Sequence, residues 1–253
     1  MSKSSFALAL IAEFVGSVLL VLVSTCALQS MARGELSWTA VALANGFVTA
    51  GLLWAASACS GAHLNPVVTL AELFLRSLRP GHALAYIITQ LTGSFSAAAL
   101  IYFLNGETGA AKVPYPSLNA DFATEFQAFL LEFILSGLFV AAYYSTSVDK
   151  RGPTNVFGFA QGAVILGGTL IAGPISGGAV NPLRHFGPSF MALTFDETGL
   201  QWVAQIIGGL SVAFYFEFFL MNDQVYISDN ADEDSGNTLR NYENQNIAST
   251  LKY

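Results

Sequence analysis

The sequence predicts an all-α membrane protein with six transmembrane helices and two re-entrant half-helices in an inverted repeat. Three observations lead to this fold class. Of the 253 residues, 53% are hydrophobic and only 11% are charged, against about 25% charged in an ordinary soluble chain. The charges leave six long uncharged stretches, two of which are too long for one span. The two halves of the chain also repeat each other. This composition argues against a soluble monomer and against a nucleic-acid-binding protein.

The uncharged stretches cover residues 14–32, 36–71, 80–106, 133–148, 152–183 and 198–216. A helix needs about 20 mostly apolar residues to cross a bilayer. Such segments are expected to be helical, because hydrocarbon offers backbone groups no other partner outside a closed barrel. We therefore predict spans near 6–28, 36–57, 83–105, 124–147, 154–173 and 201–222.

Two of the uncharged stretches continue past a span into a break and a short apolar segment. The first break reads SACSGAHLNP and ends at Pro66, and the second reads GPISGGAVNP and ends at Pro182. Asn is among the best helix N-caps, and Pro suits the first turn of a helix. Each Asn-Pro pair therefore predicts a half-helix of about ten residues, too short to cross the bilayer.

The two halves match at corresponding positions. Glu13 and Phe14 in the first predicted span match Glu132 and Phe133 in the fourth, and SGAHLNP matches SGGAVNP. Three spans and a half-helix that occur twice insert with opposite orientations, because three is odd. Inverted repeats with broken helices near the midplane are typical of transport proteins.

This repeat defines the predicted organisation of the chain. The segments are a short cytoplasmic N-terminus (1–5), a first repeat (6–105), an external connecting loop (106–123), a second repeat (124–222) and an acidic tail (223–253). The tail has little apolar area to bury, and we predict it to be disordered.

The distribution of Lys and Arg predicts the orientation in the membrane. Six spans leave both termini on one side, and that side would hold seven basic residues against two on the other. An excess of Lys and Arg marks cytoplasmic loops. Both termini are therefore predicted to be cytoplasmic.

The two half-helices supply the chemistry. Each helix N-terminus presents unpaired N–H groups and about half a positive charge, which disfavours a cation or a proton. The side-chain amides of Asn65 and Asn181 can instead donate hydrogen bonds to a neutral dipolar molecule such as water. Arg184 lies one turn beyond Asn181, and an intramembrane arginine predicts a functional site because burying a guanidinium is costly. Half-helix dipoles and a pore arginine are known selectivity devices of channels.

The segments SGAHLNPVVTL and SGGAVNPLRHFGPSF, each after three spans with Glu-Phe in the first, resemble the aquaporin (major intrinsic protein) family. The resemblance covers residues 6 to about 222. It implies a homotetramer with one passive pore per subunit, no enzymatic activity and no cofactor or metal. The implied partners are water, small neutral solutes and the lipid bilayer, with no nucleic acid, and the plasma membrane is the predicted location. The family usually has Asn-Pro-Ala where this chain ends its motifs with Val67 and Leu183.

The resemblance also implies which residues form the narrowest point of the pore. Counting from the two asparagines, the four filter positions of the family fall on Asn45, Thr169, Gly178 and Arg184. Water-selective relatives usually have an aromatic ring and a histidine at the first two positions. The smaller side chains here predict a wider and more polar aperture, which passes small uncharged solutes as well as water and excludes protons and ions.

Two further groups of residues are candidates for the pore and its scaffold. Backbone carbonyls in the two breaks are predicted to line the pore, at Gly61, Ala62, His63, Gly177 and Ala179. Glu13 and Glu132, one in each repeat, are predicted to accept hydrogen bonds from backbone N–H groups of the adjacent break. In a transporter, the same carboxylates would couple to protons or ions.

Two alternative functions stay open. The first is a facilitator of glycerol, urea or ammonia with low water permeability, which the small filter side chains favour. His185 argues against it, because glycerol facilitators typically have Asp after the pore arginine. The second is a secondary transporter built as an inverted repeat, which would need Glu13 and Glu132 as its coupling groups.

Overall fold

The computed structural model describes residues 3–105, 113–149, 151–194 and 198–220. Within these ranges, regular structure is entirely helical. In chain order the helices are α1 (Lys3–Ala32), α2 (Trp38–Ser60), α3 (Pro66–Phe74), α4 (Pro80–Leu104), α5 (Glu125–Tyr143), α6 (Phe157–Ser176), α7 (Leu183–Ala192) and α8 (Thr198–Tyr215). Short π-helical turns follow α5 at Tyr144–Val148 and α8 at Phe216–Leu220.

Six of these helices are long and apolar enough to cross a membrane. They are α1, α2, α4, α5, α6 and α8, the last three counted with the short helical turns that adjoin them, and they confirm the six predicted spans. Their ends differ from the predicted ends by a few residues. For example, α1 continues to Ala32, past its predicted end at residue 28, and Gln29 in this extra turn contacts the residue that follows α4. The side-chain amide of Gln29 donates to the amide oxygen of Asn105 at 3.0 Å.

The two half-helices follow the Asn-Pro pairs as predicted. α3 has 9 residues and α7 has 10. α3 begins at Pro66 with Asn65 as its N-cap. α7 begins at Leu183, which is one residue later relative to its Asn-Pro pair than the start of α3. The reason is that the first backbone hydrogen bonds after Asn181 span three residues instead of four. The N–H of Arg184 donates to the carbonyl of Asn181 at 3.1 Å, a three-residue step.

Glycines allow the long helices to cross at close range. A β-carbon on Gly46 of α2 would lie 2.9 Å from the carbonyl oxygen of Gly162 on α6. A β-carbon on Gly93 of α4 would lie 2.8 Å from the carbonyl of Phe14, and one on Gly208 of α8 would lie 2.1 Å from the carbonyl of Phe133. Small residues let membrane helices approach in this way. The last two contacts occupy matching positions in the two halves of the chain.

The chain divides into two compact units, residues 1–213 and 214–253. All residues of the candidate site belong to the first unit. In the second unit, the rings of Phe214 and Phe218 pack with centroids 4.5 Å apart. The predicted tail (223–253) and residues 106–112 of the predicted connecting loop lie outside the described residues. The boundaries of the two repeats stay a prediction.

Candidate pore

The two predicted pore asparagines lie at the N-termini of the half-helices and each reaches the opposite break. Each amide oxygen accepts a hydrogen bond from the backbone N–H two residues ahead, at 2.9 Å for Asn65 and 3.0 Å for Asn181. The amide nitrogen of Asn181 donates to the carbonyl of Leu64 at 2.8 Å, and that of Asn65 faces the carbonyl of Val180 at 3.5 Å. The half-helices therefore meet at their N-terminal ends, and both asparagines are almost fully buried.

Glu13 is a buried hydrogen-bond acceptor for the first break. One carboxylate oxygen accepts from the Ser60 hydroxyl at 2.6 Å and from the N–H of His63 at 3.0 Å. The other accepts from the N–H of Leu64 at 2.8 Å and from the side chain of Gln90 at 2.7 Å. Two elements, α1 and α4, thus fix the backbone that leads into α3.

Glu132 repeats this arrangement in the second half. One oxygen accepts from the Ser176 hydroxyl at 2.8 Å and from the N–H of Ala179 at 3.0 Å. The other accepts from the N–H of Val180 at 2.8 Å and from the side chain of Gln205 at 2.7 Å. The same four types of donor therefore surround both carboxylates.

Both breaks contain backbone in the left-handed region. Ala62, Leu64 and Val180 have φ values of 53°, 41° and 59°, although side chains disfavour this region by roughly 1–2 kcal/mol per residue. The N–H groups of Leu64 and Val180 are the ones that bond to the carboxylates. The glutamates therefore hold a backbone conformation that would be costly on its own.

The predicted carbonyl groups differ in what they contact. The Ala179 carbonyl accepts a hydrogen bond from Arg184 at 3.1 Å, and the Gly178 carbonyl accepts another at 2.6 Å. Gly61, Ala62, His63 and Gly177 lie in the same two breaks. The His63 ring is also fixed, with Nδ1 3.0 Å from the hydroxyl of Thr69.

Arg184 is buried and almost fully bonded. Its Nε donates to the Ser24 hydroxyl at 2.7 Å, and its Nη1 donates to the carbonyls of Gly178 and Ala179. Its Nη2 has no hydrogen-bond partner within the part of the chain that the structure describes. The guanidinium is therefore held rigidly, with one nitrogen left to donate to a passing molecule.

Hydrogen bonds join three of the four predicted filter residues. The Thr169 hydroxyl donates to the Gly178 carbonyl at 3.4 Å, and Arg184 donates to the same oxygen. Asn45 is separate: its side chain is 1% exposed, and neither amide atom has a partner among the described residues. Because buried polar groups in proteins are nearly always hydrogen-bonded, this amide requires a partner such as water.

A small cavity lies along the predicted pore. Its volume of about 10 Å³ is close to the space that one water molecule needs. Its lining comprises Leu20, Thr49, Leu53, His63, Leu64, Phe139, Ile165, Asn181 and Arg184. The cavity thus connects the arginine, one of the two asparagines and the histidine.

Sequence analysis missed several residues of this site. Thr49 lies one helical turn after Asn45, and its hydroxyl donates to the Asn45 carbonyl at 2.7 Å; the four-residue spacing on a helix was a usable signal. Gln90 and Gln205 both stand three residues before a glycine, in the third span of each predicted repeat. Aligning the two halves beyond the Asn-Pro motifs would have found them.

Comparison with known proteins identifies the family. The family model for "Major intrinsic protein" matches residues 1–216. The chain belongs to the major intrinsic protein family. Aquaporin A of Dictyostelium discoideum is 32% identical over 216 residues, covering 82% of this chain and 77% of that protein. The lens fiber major intrinsic protein of Gallus gallus is 29% identical over 224 residues, covering 86% and 83%.

A solved structure supports the same fold. The X-ray structure of the aquaglyceroporin from Plasmodium falciparum matches with a TM-score of 0.76 and 22% identity, covering 85% of this chain and 97% of that one. These findings confirm the predicted fold and family. Members of the major intrinsic protein family are membrane channels, not enzymes, so this chain is a multi-pass channel for water, small solutes or both.

Proposed function

We propose that this family member conducts water and small uncharged solutes passively and excludes protons and ions. The observation that carries the proposal is the meeting of the two half-helix ends, with Asn65 and Asn181 reaching across to the opposite break. A transporter would need carboxylates that are free to bind an ion. Glu13 and Glu132 each already accept four hydrogen bonds from the scaffold, and membership of a channel family also argues against transport coupling.

Electrostatics supports the exclusion of cations. Two helix N-termini and the guanidinium of Arg184 place positive charge beside the same narrow passage. Water or another neutral solute can accept hydrogen bonds from the amides of Asn65 and Asn181 at this point. A hydronium ion or a metal cation meets an unfavourable field in a region of low dielectric constant.

The filter residues support a range of solutes wider than water. No aromatic ring occupies the positions of Asn45, Thr169 or Gly178. The Asn45 amide offers both a donor and an acceptor that the described part of the chain leaves unused, and Nη2 of Arg184 offers another donor. A small solute that carries hydroxyl or amide groups would satisfy these atoms, which favours glycerol-sized and urea-sized molecules.

Stopped-flow light scattering on proteoliposomes that contain the full chain tests this proposal. Vesicles should shrink rapidly under a sucrose gradient, and under glycerol or urea they should shrink and then reswell. Asn45→Phe should slow reswelling while water permeability persists, because an aromatic ring narrows the aperture. Leu43→Phe is the matched control, because it adds the same ring to an exposed position of α2.

Each other outcome contradicts a stated part of the proposal. Shrinkage without reswelling for every solute would show a strict water channel. Reswelling with low water permeability would show the facilitator alternative, and solute flux that depends on an ion gradient would show a transporter.

We further propose that both termini are cytoplasmic, that the plasma membrane is the site of action and that the channel is a homotetramer. The basic residues of the loops support the orientation. Protease accessibility of tagged termini in intact and permeabilised cells tests it: a tag cleaved in intact cells would contradict it.

A further inference from the structure

Residues 113–122, which lie between α4 and α5, contact both α4 and α6. Val113 is buried against Ala98 and Ile101. The N–H of Asn119 donates to the carbonyl of Ile175, at the end of α6, at 2.8 Å. Between these two points lies Pro116, which is also buried. This segment, predicted from sequence only as part of an external connection, therefore forms part of the wall around the second break.

The Pro116 ring lies directly against Gly177. A β-carbon on Gly177 would be 2.4 Å from Cβ and 2.5 Å from Cα of Pro116, and the three atoms nearest to that position all belong to Pro116. Gly177 has a φ of 84°, a conformation that glycine adopts without steric cost. The proline therefore occupies the space that any side chain at this position would need.

This contact is one residue from the filter. The carbonyl of Gly178, the next residue, accepts hydrogen bonds from Thr169 at 3.4 Å and from Arg184 at 2.6 Å. This carbonyl belongs to the Gly178–Ala179 peptide, which follows directly after the peptide that joins Gly177 to Gly178. A shift of Gly177 towards Pro116 would therefore move the oxygen that fixes Arg184.

A large cavity lies against the same segment. Its volume is about 610 Å³, and its lining includes Pro116, Trp38 and Gly173. Trp38 precedes Asn45 by two helical turns, and Gly173 follows Thr169 by one turn, so each shares a helix face with a filter residue. Pro116 therefore lies both in the wall of this cavity and against Gly177.

We propose that Pro116 is a positioning residue that sets the selectivity of the filter. Its ring prevents Gly177 from moving outwards, and this keeps the Gly178 carbonyl and Arg184 at the spacing that limits solute size. The proposal rests on the proposed function of the chain as a channel. It predicts that removal of the ring widens the aperture and favours solutes larger than water.

The test is Pro116→Gly in the full chain, measured in proteoliposomes for both water and glycerol, because glycine lacks the Cβ that lies nearest to Gly177. The glycerol-to-water permeability ratio should rise by about three-fold or more, equivalent to roughly 0.7 kcal/mol. Pro114→Gly is the matched control, because it removes the same ring from the same cavity wall, and its ratio should equal that of the unaltered protein. A purely structural role would lower both permeabilities together and leave the ratio unchanged.

An unchanged ratio in folded Pro116→Gly would overturn the proposal. If that variant does not reconstitute, Pro116→Ala replaces it; alanine keeps the three atoms nearest to Gly177 but loses the ring that fixes the backbone φ of this residue, so a smaller rise is expected, and no rise would again overturn the proposal. Failure of the proposed function is distinguishable, because the unaltered protein itself would then lack permeability to water or to glycerol.

Discussion

At the scale of single residues, Glu13 and Glu132 explain how irregular backbone is kept inside a membrane protein. A carboxylate buried without partners would cost several kcal/mol. Each of these accepts four hydrogen bonds, two of them from N–H groups that no helix can satisfy. The carboxylates and the backbone N–H groups of the breaks therefore satisfy each other's hydrogen-bonding requirements, which supports a scaffold role.

Glu132→Gln should destabilise the protein. The new NH₂ group replaces an oxygen that accepts two donors, and each buried donor left unpaired costs about 1–3 kcal/mol, or roughly 2–6 kcal/mol in all. Thermal unfolding in detergent should show a clear drop in midpoint. The exposed Glu35→Gln serves as the control, and equal stability of the two variants would count against the scaffold role.

Arg184→Ala should increase proton leakage. The substitution removes a fixed positive charge from the narrow passage, so the barrier to cations falls; a ten-fold rise in flux corresponds to about 1.4 kcal/mol. A pH-sensitive dye inside vesicles under a pH gradient measures this flux. Arg79→Ala removes the same charge from an exposed position before α4, and leakage equal to that of Arg79→Ala would contradict the role of Arg184.

At the scale of elements, close helix crossings determine where the predicted filter residues lie. Asn45 on α2 precedes Gly46, and Thr169 on α6 lies three residues after Leu166, which faces Gly46. Gly46 and Gly162 let the backbones of the two helices approach closely. The packing of α2 against α6 is therefore expected to set the positions of half of the predicted filter.

Gly46→Ala should therefore destabilise the protein, whereas Gly51→Ala on the same helix should not. A β-carbon on Gly46 would lie 2.6 Å from Cβ of Leu166, but one on Gly51 would meet nothing within 4 Å. Overpacking costs about 1–3 kcal/mol, while replacing an open helical glycine with Ala gains about 0.5–1 kcal/mol. Unfolding midpoints of the two variants should move in opposite directions; a shared direction would contradict the close crossing.

At the scale of the whole molecule, the candidate pore lies entirely within residues 1–213. Removal of residues 223–253 should therefore leave water permeability per channel unchanged. Proteoliposomes with matched amounts of full and truncated protein measure this directly. A large loss or gain on truncation would assign the acidic tail a role in conduction.

The predicted homotetramer belongs to the same scale. Large apolar side chains such as Phe47, Trp54 and Phe159 are exposed on the single chain, which is expected of surfaces that face lipid or another subunit. Cross-linking in membranes followed by mass determination should give four chains per assembly. A uniform monomer at all protein concentrations would contradict the tetramer.

The sequence by itself determined the spans, the two half-helices and the matching glutamates, because each has a local signature. Uncharged length defines a span, Asn-Pro defines a helix start, and a repeated Glu-Phe marks equivalent positions. These patterns also singled out Asn65, Asn181 and Arg184 as predicted pore residues, because their neighbours along the chain are distinctive.

Only the tertiary structure decided which distant groups meet. Gln90 is 77 residues from Glu13, and Ser24 is 160 residues from Arg184; their contacts depend on how the helices cross. The contact between Pro116 and Gly177 likewise depends on where the segment between α4 and α5 packs against the end of α6. Sequence periodicity reports the environment of one helix face, whereas a hydrogen bond between helices depends on the packing of both.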